Sequence, residues 1–250
     1  MSFKDKSVLI TGAGSGIGKA AALAFAEAGA KIAVSDINED GGRGTVEEIK
    51  RAGGTAFFKK CNVANYRAVV ELVDETVSQF GRLDIALNNA GIGGNRVPTS
   101  NYDISEWDQV IAINQTGVFY CMREELKIMS KQGSGCIVNV SSIAGMRALP
   151  MTIAYTASKH AVIGMTKTAA LEYARYGIRV NAVCPVFTET PMVAALVGEQ
   201  KDLADKLVKT IPMRRFGQVE DIVNGIFWLC DEKSSFVTGQ SLAIDGGQTA

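Results

Sequence analysis

Short, mostly apolar runs recur along the chain, and longer stretches with apolar residues every three or four positions lie between them. The runs fall at 7–10, 31–35, 56–60, 85–88, 136–140, 179–183 and 241–244. A strand covered on both faces has this continuous apolar character, whereas a half-exposed strand alternates. The stretches at 18–28, 42–52, 66–80, 105–130, 153–176 and 219–231 carry the helical period. Strand and helix in alternation predict an α/β fold, a doubly wound parallel sheet of about seven strands with helices on both faces. No internal repeat or low-complexity linker interrupts the pattern, so residues 1–250 read as a single domain.

Composition narrows the function classes. With 250 residues and 47% apolar content the chain can bury one large core. Lys plus Arg equals Asp plus Glu at 26 each, so no overall basicity points to a nucleic acid. No apolar stretch reaches membrane-spanning length and residues 1–5 lead into the first strand without a signal-type segment. The expectation is a cytoplasmic protein with neither a membrane nor a nucleic acid as partner. Cys61, Cys121, Cys136, Cys184 and Cys230 show no metal-ligand spacing and read as reduced, buried thiols. His160, the single histidine, points about 100° away from Lys159 on a helix and reads as structural; without a second histidine or a paired carboxylate cluster, zinc or serine-hydrolase chemistry has little to work with and no metal is expected.

Candidate chemistry begins after Val8, Leu9 and Ile10. The turn Thr11-Gly12-Ala13-Gly14-Ser15-Gly16-Ile17-Gly18 opens an alanine-rich helix. Glycines let backbone approach a pyrophosphate, and a helix N-terminus presents free amides and positive potential to it. The turn fits T-G-x-x-x-G-x-G rather than G-x-G-x-x-G, and it makes the predicted sheet Rossmann-like. Asp36 closes the next strand about twenty residues on, at the distance where a carboxylate reaches ribose hydroxyls. Ser15 and Ile37 are uncharged, so nothing basic awaits a 2′-phosphate and the reading is NAD. Tyr155 and Lys159 share a helix face at i and i+4, where the ammonium is expected to lower the phenol pKa toward neutrality. Ser142 lies thirteen residues upstream of Tyr155.

Taken in order, these motifs resemble the short-chain dehydrogenase/reductase family from about Lys6 to Gly247. The likeness rests on Thr11 to Gly18, Asn62-Val63, Asn88-Asn89-Ala90-Gly91, Asn114, Ser142, Tyr155, Lys159, the segment from Asn181 to Met192, and Thr238-Gly239 to Asp245-Gly246-Gly247. The resemblance implies a catalytic set of Asn114, Ser142, Tyr155 and Lys159. Tyr155 would move the proton, Ser142 rather than Ser141 would hold the substrate oxygen, and Lys159 would hold the nicotinamide ribose. Asn114 would hold a water that links Lys159 to solvent. It also implies cofactor contacts from Gly12, Ser15, Gly16, Ile17, Asp36, Asn62, Val63, Asn89, Ala90, Gly91, Pro185, Thr188 and Thr190, besides Tyr155 and Lys159. A homotetramer follows from the same likeness, through the two long helices and the last strand.

The expected function is NAD(H)-dependent interconversion of a small ketone and a secondary alcohol by hydride transfer. A 3-oxoacyl-thioester reductase is the sibling reading and a non-catalytic NAD-binding regulator the one from another class. The chain departs from the family where Pro185-Val186 replaces the usual Pro-Gly, so a loop that needed positive φ there must take another path. Substrate is expected between residues 92–97, 144–151 and an apolar lid at 186–212. Arg96 and Arg147 are candidates for an anionic substrate group.

Overall fold

The computed structural model describes residues 3–198 and 201–250. Seven strands form one sheet: β1 (Ser7–Thr11), β2 (Lys31–Asp36), β3 (Thr55–Lys60), β4 (Ile85–Asn88), β5 (Gly135–Val140), β6 (Ile178–Pro185) and β7 (Ser241–Ile244). Their spatial order is β3-β2-β1-β4-β5-β6-β7, and every pairing is parallel. The helices are α1 (Gly16–Glu27), α2 (Glu39–Arg51), α3 (Tyr66–Phe80), α4 (Ile104–Ile111), α5 (Val118–Gln132), α6 (Ile153–Tyr173), α7 (Pro191–Val197), α8 (Lys201–Lys209) and α9 (Val219–Cys230).

Alternate residues of each central strand feed opposite layers. Val8, Ile10, Ile32, Val34, Leu87 and Val138 pack with Phe25 of α1, Ile49 of α2 and Ile226 of α9. Leu9, Ala33, Ala86, Ile137 and Val180 pack with Leu72 of α3, Met122 of α5 and Val162 of α6. Both faces are therefore apolar, which is why the strands read as continuous runs rather than as alternation. The register sets Ser35, Thr11, Asn88, Asn139 and Ala182 in one row across five strands. Strand order reverses between β1 and β4, which opens a crevice beyond their carboxyl ends.

The elements differ from the sequence expectation mainly at polar ends. Helix α2 starts at Glu39 rather than 42, because the Asn38 side chain accepts the Gly41 amide and Glu39 and Asp40 suit the positive end of the helix. The stretch expected as one helix over 105–130 is α4 and α5 joined by a π-helical turn at Ala112–Gly117. Strand β6 runs on to Pro185, since β7 pairs with it as far as Ile244. The segment expected as a lid carries α7 and α8, and residues 199–200 within it lie outside the described residues. No helix among the described residues is long and apolar enough to cross a membrane.

Candidate active site

Close contacts beneath the glycine turn explain its composition. A Cβ on Gly12 would stand 2.8 Å from the Ala90 Cα, one on Gly14 2.9 Å from the Asp36 Oδ2, and one on Gly18 2.2 Å from the Gly12 carbonyl oxygen. Gly12 also has φ +65°, which a side chain resists. Ser15 caps α1 in extended conformation, with no side-chain bond to the first turn, while Gly16 follows it and Ile17 packs on the core. The Asp36 carboxylate accepts the Gly14 amide at 2.8 Å and the Asn38 amide at 2.8 Å. Nearby cations are taken up by other carboxylates: Lys19 by Glu48, and Arg43 and Lys60 by Glu39.

Across the crevice, the Thr11 hydroxyl accepts the amides of Asn89 (3.1 Å) and Ala90 (3.2 Å). The Asn89 side chain donates back to the carbonyls of Thr11 and Gly12, at 3.0 and 2.9 Å. The end of β4 is thus clasped to the glycine turn. A Cβ on Gly91 would stand 3.2 Å from the Asn114 Oδ1 and 3.6 Å from the Lys159 Nζ, so the turn meets the far cluster closely. Val63 is buried against Gly117, while Asn62 is exposed. The Asn62 carbonyl accepts the Ala64 amide at 3.0 Å and keeps one lone pair free.

Pro185 and Val186 take no left-handed backbone. Val186 instead packs with Ile143 and Ile211, and its amide donates to the Ile244 carbonyl. That cluster accounts for a β-branched residue where a glycine is usual. Thr188 is buried and donates to the Val186 carbonyl. Thr190 accepts the Val193 amide as the cap of α7, and its Cγ2 would touch a Cβ on Gly16 at 3.4 Å. The start of the expected lid therefore abuts the glycine turn.

The second cluster sits where β5 meets α6. The two adjacent serines have different tasks: Ser141 donates its hydroxyl to the Lys159 carbonyl at 2.9 Å, whereas Ser142 caps a short turn through the Ala144 amide and lies beside Tyr155. Buried Lys159 donates from Nζ to the Val140 carbonyl at 2.8 Å, and that Nζ lies 5.6 Å from the centre of the Tyr155 ring. Asn114, in the π-helical turn, spends its side chain on both backbone groups of Ile92, each at 2.8 Å. The structure thus brings Asn114, Ser142, Tyr155 and Lys159 together beside the 89–91 turn.

One electrostatic expectation is corrected. Burial raises the Tyr155 phenol above its ordinary value, and neighbouring Ser142 only partly opposes this. Lys159 does not lower it; burial instead depresses the ammonium itself, to about 8. Tyr155 is half-buried and Lys159 buried, and for each group the loss of water is the largest cause of the shift.

The holding roles of Thr11, Ser141 and the Val140 carbonyl are not among the sequence expectations, although each secures a residue that is. Their signal is weak, since a strand-end threonine or a serine doublet is common. Arg96 and Arg147 make no side-chain hydrogen bond or ion pair among the described residues. No group of three or more His, Cys, Asp or Glu among the described residues is placed to hold a metal.

Similarity to other proteins bears on this geometry. The family model described as "Enoyl-(Acyl carrier protein) reductase" matches residues 12–249. The chain is 46% identical over its whole length, and that of the relative, to an uncharacterized oxidoreductase of Thermotoga maritima. It belongs to the short-chain dehydrogenase/reductase family. A cyclohexanol dehydrogenase of Acinetobacter sp. is 42% identical over 99% of this chain and 96% of its own. A 3-oxoacyl-acyl-carrier-protein reductase of Staphylococcus epidermidis is 42% identical over 97% and 98%. Among solved structures, an NAD+-bound xylitol dehydrogenase superposes with TM-score 0.94 at 36% identity, covering 99% of this chain and 100% of that one. A variant actinorhodin polyketide ketoreductase with NADPH gives 0.93 at 34%, covering 99% of each. The chain is therefore an oxidoreductase of this family, and a nicotinamide cofactor fits its glycine-rich turn.

The glycine contacts give a direct test. Gly18→Ala forces a methyl against the Gly12 carbonyl, and the backbone must shift. We expect a loss of about 1–3 kcal/mol of stability by urea denaturation, with weaker nicotinamide binding by fluorescence titration.

Proposed function

We propose that the protein is an NAD(H)-dependent dehydrogenase that interconverts a secondary alcohol and a ketone, one domain over 1–250 with residues 186–212 as its substrate lid. The observation that carries this reading is the meeting of Ser142, Tyr155 and Lys159 beside the 89–91 turn. When bound, the nicotinamide supplies or takes the hydride. The remaining chemistry falls to the chain. Ser142 holds the substrate oxygen, Tyr155 gives it a proton in reduction and takes one in oxidation, and Lys159 supplies positive charge beside the phenol. Asn114 fixes Ile92 at the edge of the pocket and, by the likeness to the family, holds a water on the path from Lys159 to solvent.

The cofactor residues divide by place. Gly12, Ser15, Gly16 and Ile17 form the pyrophosphate cradle, Asp36 takes the adenosine ribose, and Asn62 and Val63 flank the adenine. Asn89, Ala90 and Gly91 line the middle of the crevice, while Pro185, Thr188 and Thr190 border the nicotinamide. Asp36 favours NAD, because its charge repels a 2′-phosphate and the cations around it are already paired. A cytoplasmic homotetramer accompanies this reading. Exposed Phe119 and Leu171 on α5 and α6, and Trp228 and Phe236 near β7, suit its contacts. The Staphylococcus epidermidis relative favours 3-oxoacyl-thioester reduction as a second reading, which a panel of ketones, alcohols and acyl thioesters followed by NADH absorbance separates.

Three outcomes check the proposal. Catalytic efficiency with NADH should exceed that with NADPH by more than about tenfold, since ~1.4 kcal/mol from one misplaced charge suffices. Asp36→Ala should narrow that gap, and equal efficiencies in the wild type would contradict the assignment. Tyr155→Phe should lower turnover by about 10²–10⁴-fold while NADH binding persists. Near-normal ketone reduction by this variant would remove Tyr155 from its role.

The pH profiles should separate by direction. The raised phenol pKa keeps Tyr155 protonated through neutrality, which favours reduction. As pH rises through about 8, Lys159 loses its charge and reduction should decline. Oxidation needs the phenolate and should gain toward alkaline pH. Coincident optima for one ketone and its alcohol would count against Tyr155 as acid and base.

A further inference from the structure

Glu125 on α5 is fully buried, and nothing in the reaction above uses it. The Asn88 side chain donates to Glu125 Oε2 and to Asn139 Oδ1, each at 3.0 Å. Asn139 donates to the Thr166 hydroxyl at 2.9 Å, which donates to the Val162 carbonyl at 2.7 Å. A chain of bonds thus joins α5, β4, β5 and α6. Two atoms in it lack a donor, Glu125 Oε1 and Asn88 Oδ1, both buried. They belong to the two groups already joined by the Oε2 bond.

A carboxylate has no hydrogen to give, and Asn88 has spent both of its amide hydrogens. One proton on Glu125 supplies what both orphaned oxygens need. The acid hydroxyl then donates to the Asn88 carbonyl while the Asn88 amide donates to the acid carbonyl. Among the described residues no cation pairs with Glu125. The groups that face it are Cys121 on its own helix with Cys61 beyond, Asn88 on β4, Asn139 on β5 and Thr166 on α6. Arg123, Glu124 and Lys127 pair among themselves and with Tyr66 of α3.

We propose that Glu125 is held as an un-ionised carboxylic acid in a two-bond ring with Asn88, and that this ring is a positioning element for the 89–91 turn. Asn88 directly precedes Asn89, the residue that clasps the Thr11 and Gly12 carbonyls. Fixing the Asn88 side chain fixes the end of β4 from which that clasp starts. Burial pushes the Glu125 carboxyl up to about 8, against a weaker opposing effect from Asn88.

The sign of the linkage follows. Between the ordinary glutamate value of 4.5 and about 8, the folded protein keeps a proton that the unfolded chain has lost, so stability falls as pH rises through that window and levels off above it. Glu125→Gln can make the same two bonds but cannot titrate. The ratio of unfolding constants, wild type over E125Q, should rise about tenfold per pH unit across the window; a ratio independent of pH overturns the proposal. A second readout needs only the wild type: the infrared carbonyl band of an un-ionised carboxylic acid at pH 7, moved by 13C-glutamate labelling. Its absence overturns the proposal even if E125Q does not fold.

The positioning part rests on the nicotinamide reading. Glu125→Ala should raise KM for NADH several-fold with a smaller change in kcat, and Glu125→Gln should restore it. An unchanged KM in the alanine variant overturns that part. Should the wild type show no nicotinamide turnover at all, the proposed function fails instead, and the infrared result still decides the state of Glu125.

Discussion

The Ser141 hydroxyl donates to the main-chain carbonyl of Lys159, while the Lys159 ammonium donates to the carbonyl of Val140, so α6 is tied to the end of β5 in both directions. This reciprocal tie decides where Tyr155 stands, one helical turn before Lys159. It needs α6 to pass close to the turn after β5, which is why position 145 is glycine: a Cβ there would lie 2.6 Å from the Lys159 carbonyl oxygen and 2.5 Å from the Ser141 hydroxyl. The Thr11–Asn89 clasp does the same for the other wall of the crevice. Together they turn the carboxyl edge of a parallel sheet into two fixed surfaces facing one another.

Most of the architecture was legible because both faces of the sheet are apolar. Runs such as Val8 to Ile10 and Ile137 to Val140 are too short for a helix and read as doubly covered strands, and their register sets the row from Ser35 to Ala182. The ends of elements were less legible where polar capping decides them, as at Asn38 before α2. The cleft was legible through spacing alone, since the glycine turn, Asp36, Ser142, Tyr155 and Lys159 all carry residue types that a packed core does not require. What spacing does not carry is dielectric environment. In sequence Tyr155 and Lys159 show only their spacing, whereas in the fold the loss of water is the largest cause acting on each, which reverses the expected direction of the phenol shift.

The same blindness hid the polar layer under the site. Glu125 lies among Cys121, Met122, Leu126 and Met129 on the inward face of α5, where its carboxyl meets Asn88, itself bonded to Asn139, instead of water. In one dimension it resembles its neighbour Glu124, whose charge is met by Lys127 and Arg123. Only the helical phase separates the two.

The π-helical turn at Ala112–Gly117 has a consequence for how this chain tolerates change in length. A π turn is an α-helix with one residue too many, so deleting a single residue between 112 and 117 lets the helix become regular. Regularity there is harmful. The wide turn absorbs its extra residue without changing the phase of α4 or α5, so what a deletion loses is the local backbone that aims Asn114 at Ile92. An engineer grafting α4 or α5 between relatives has to move the extra residue with them, together with Asn114 and with Gly117, whose place against Val63 leaves no room for a Cβ.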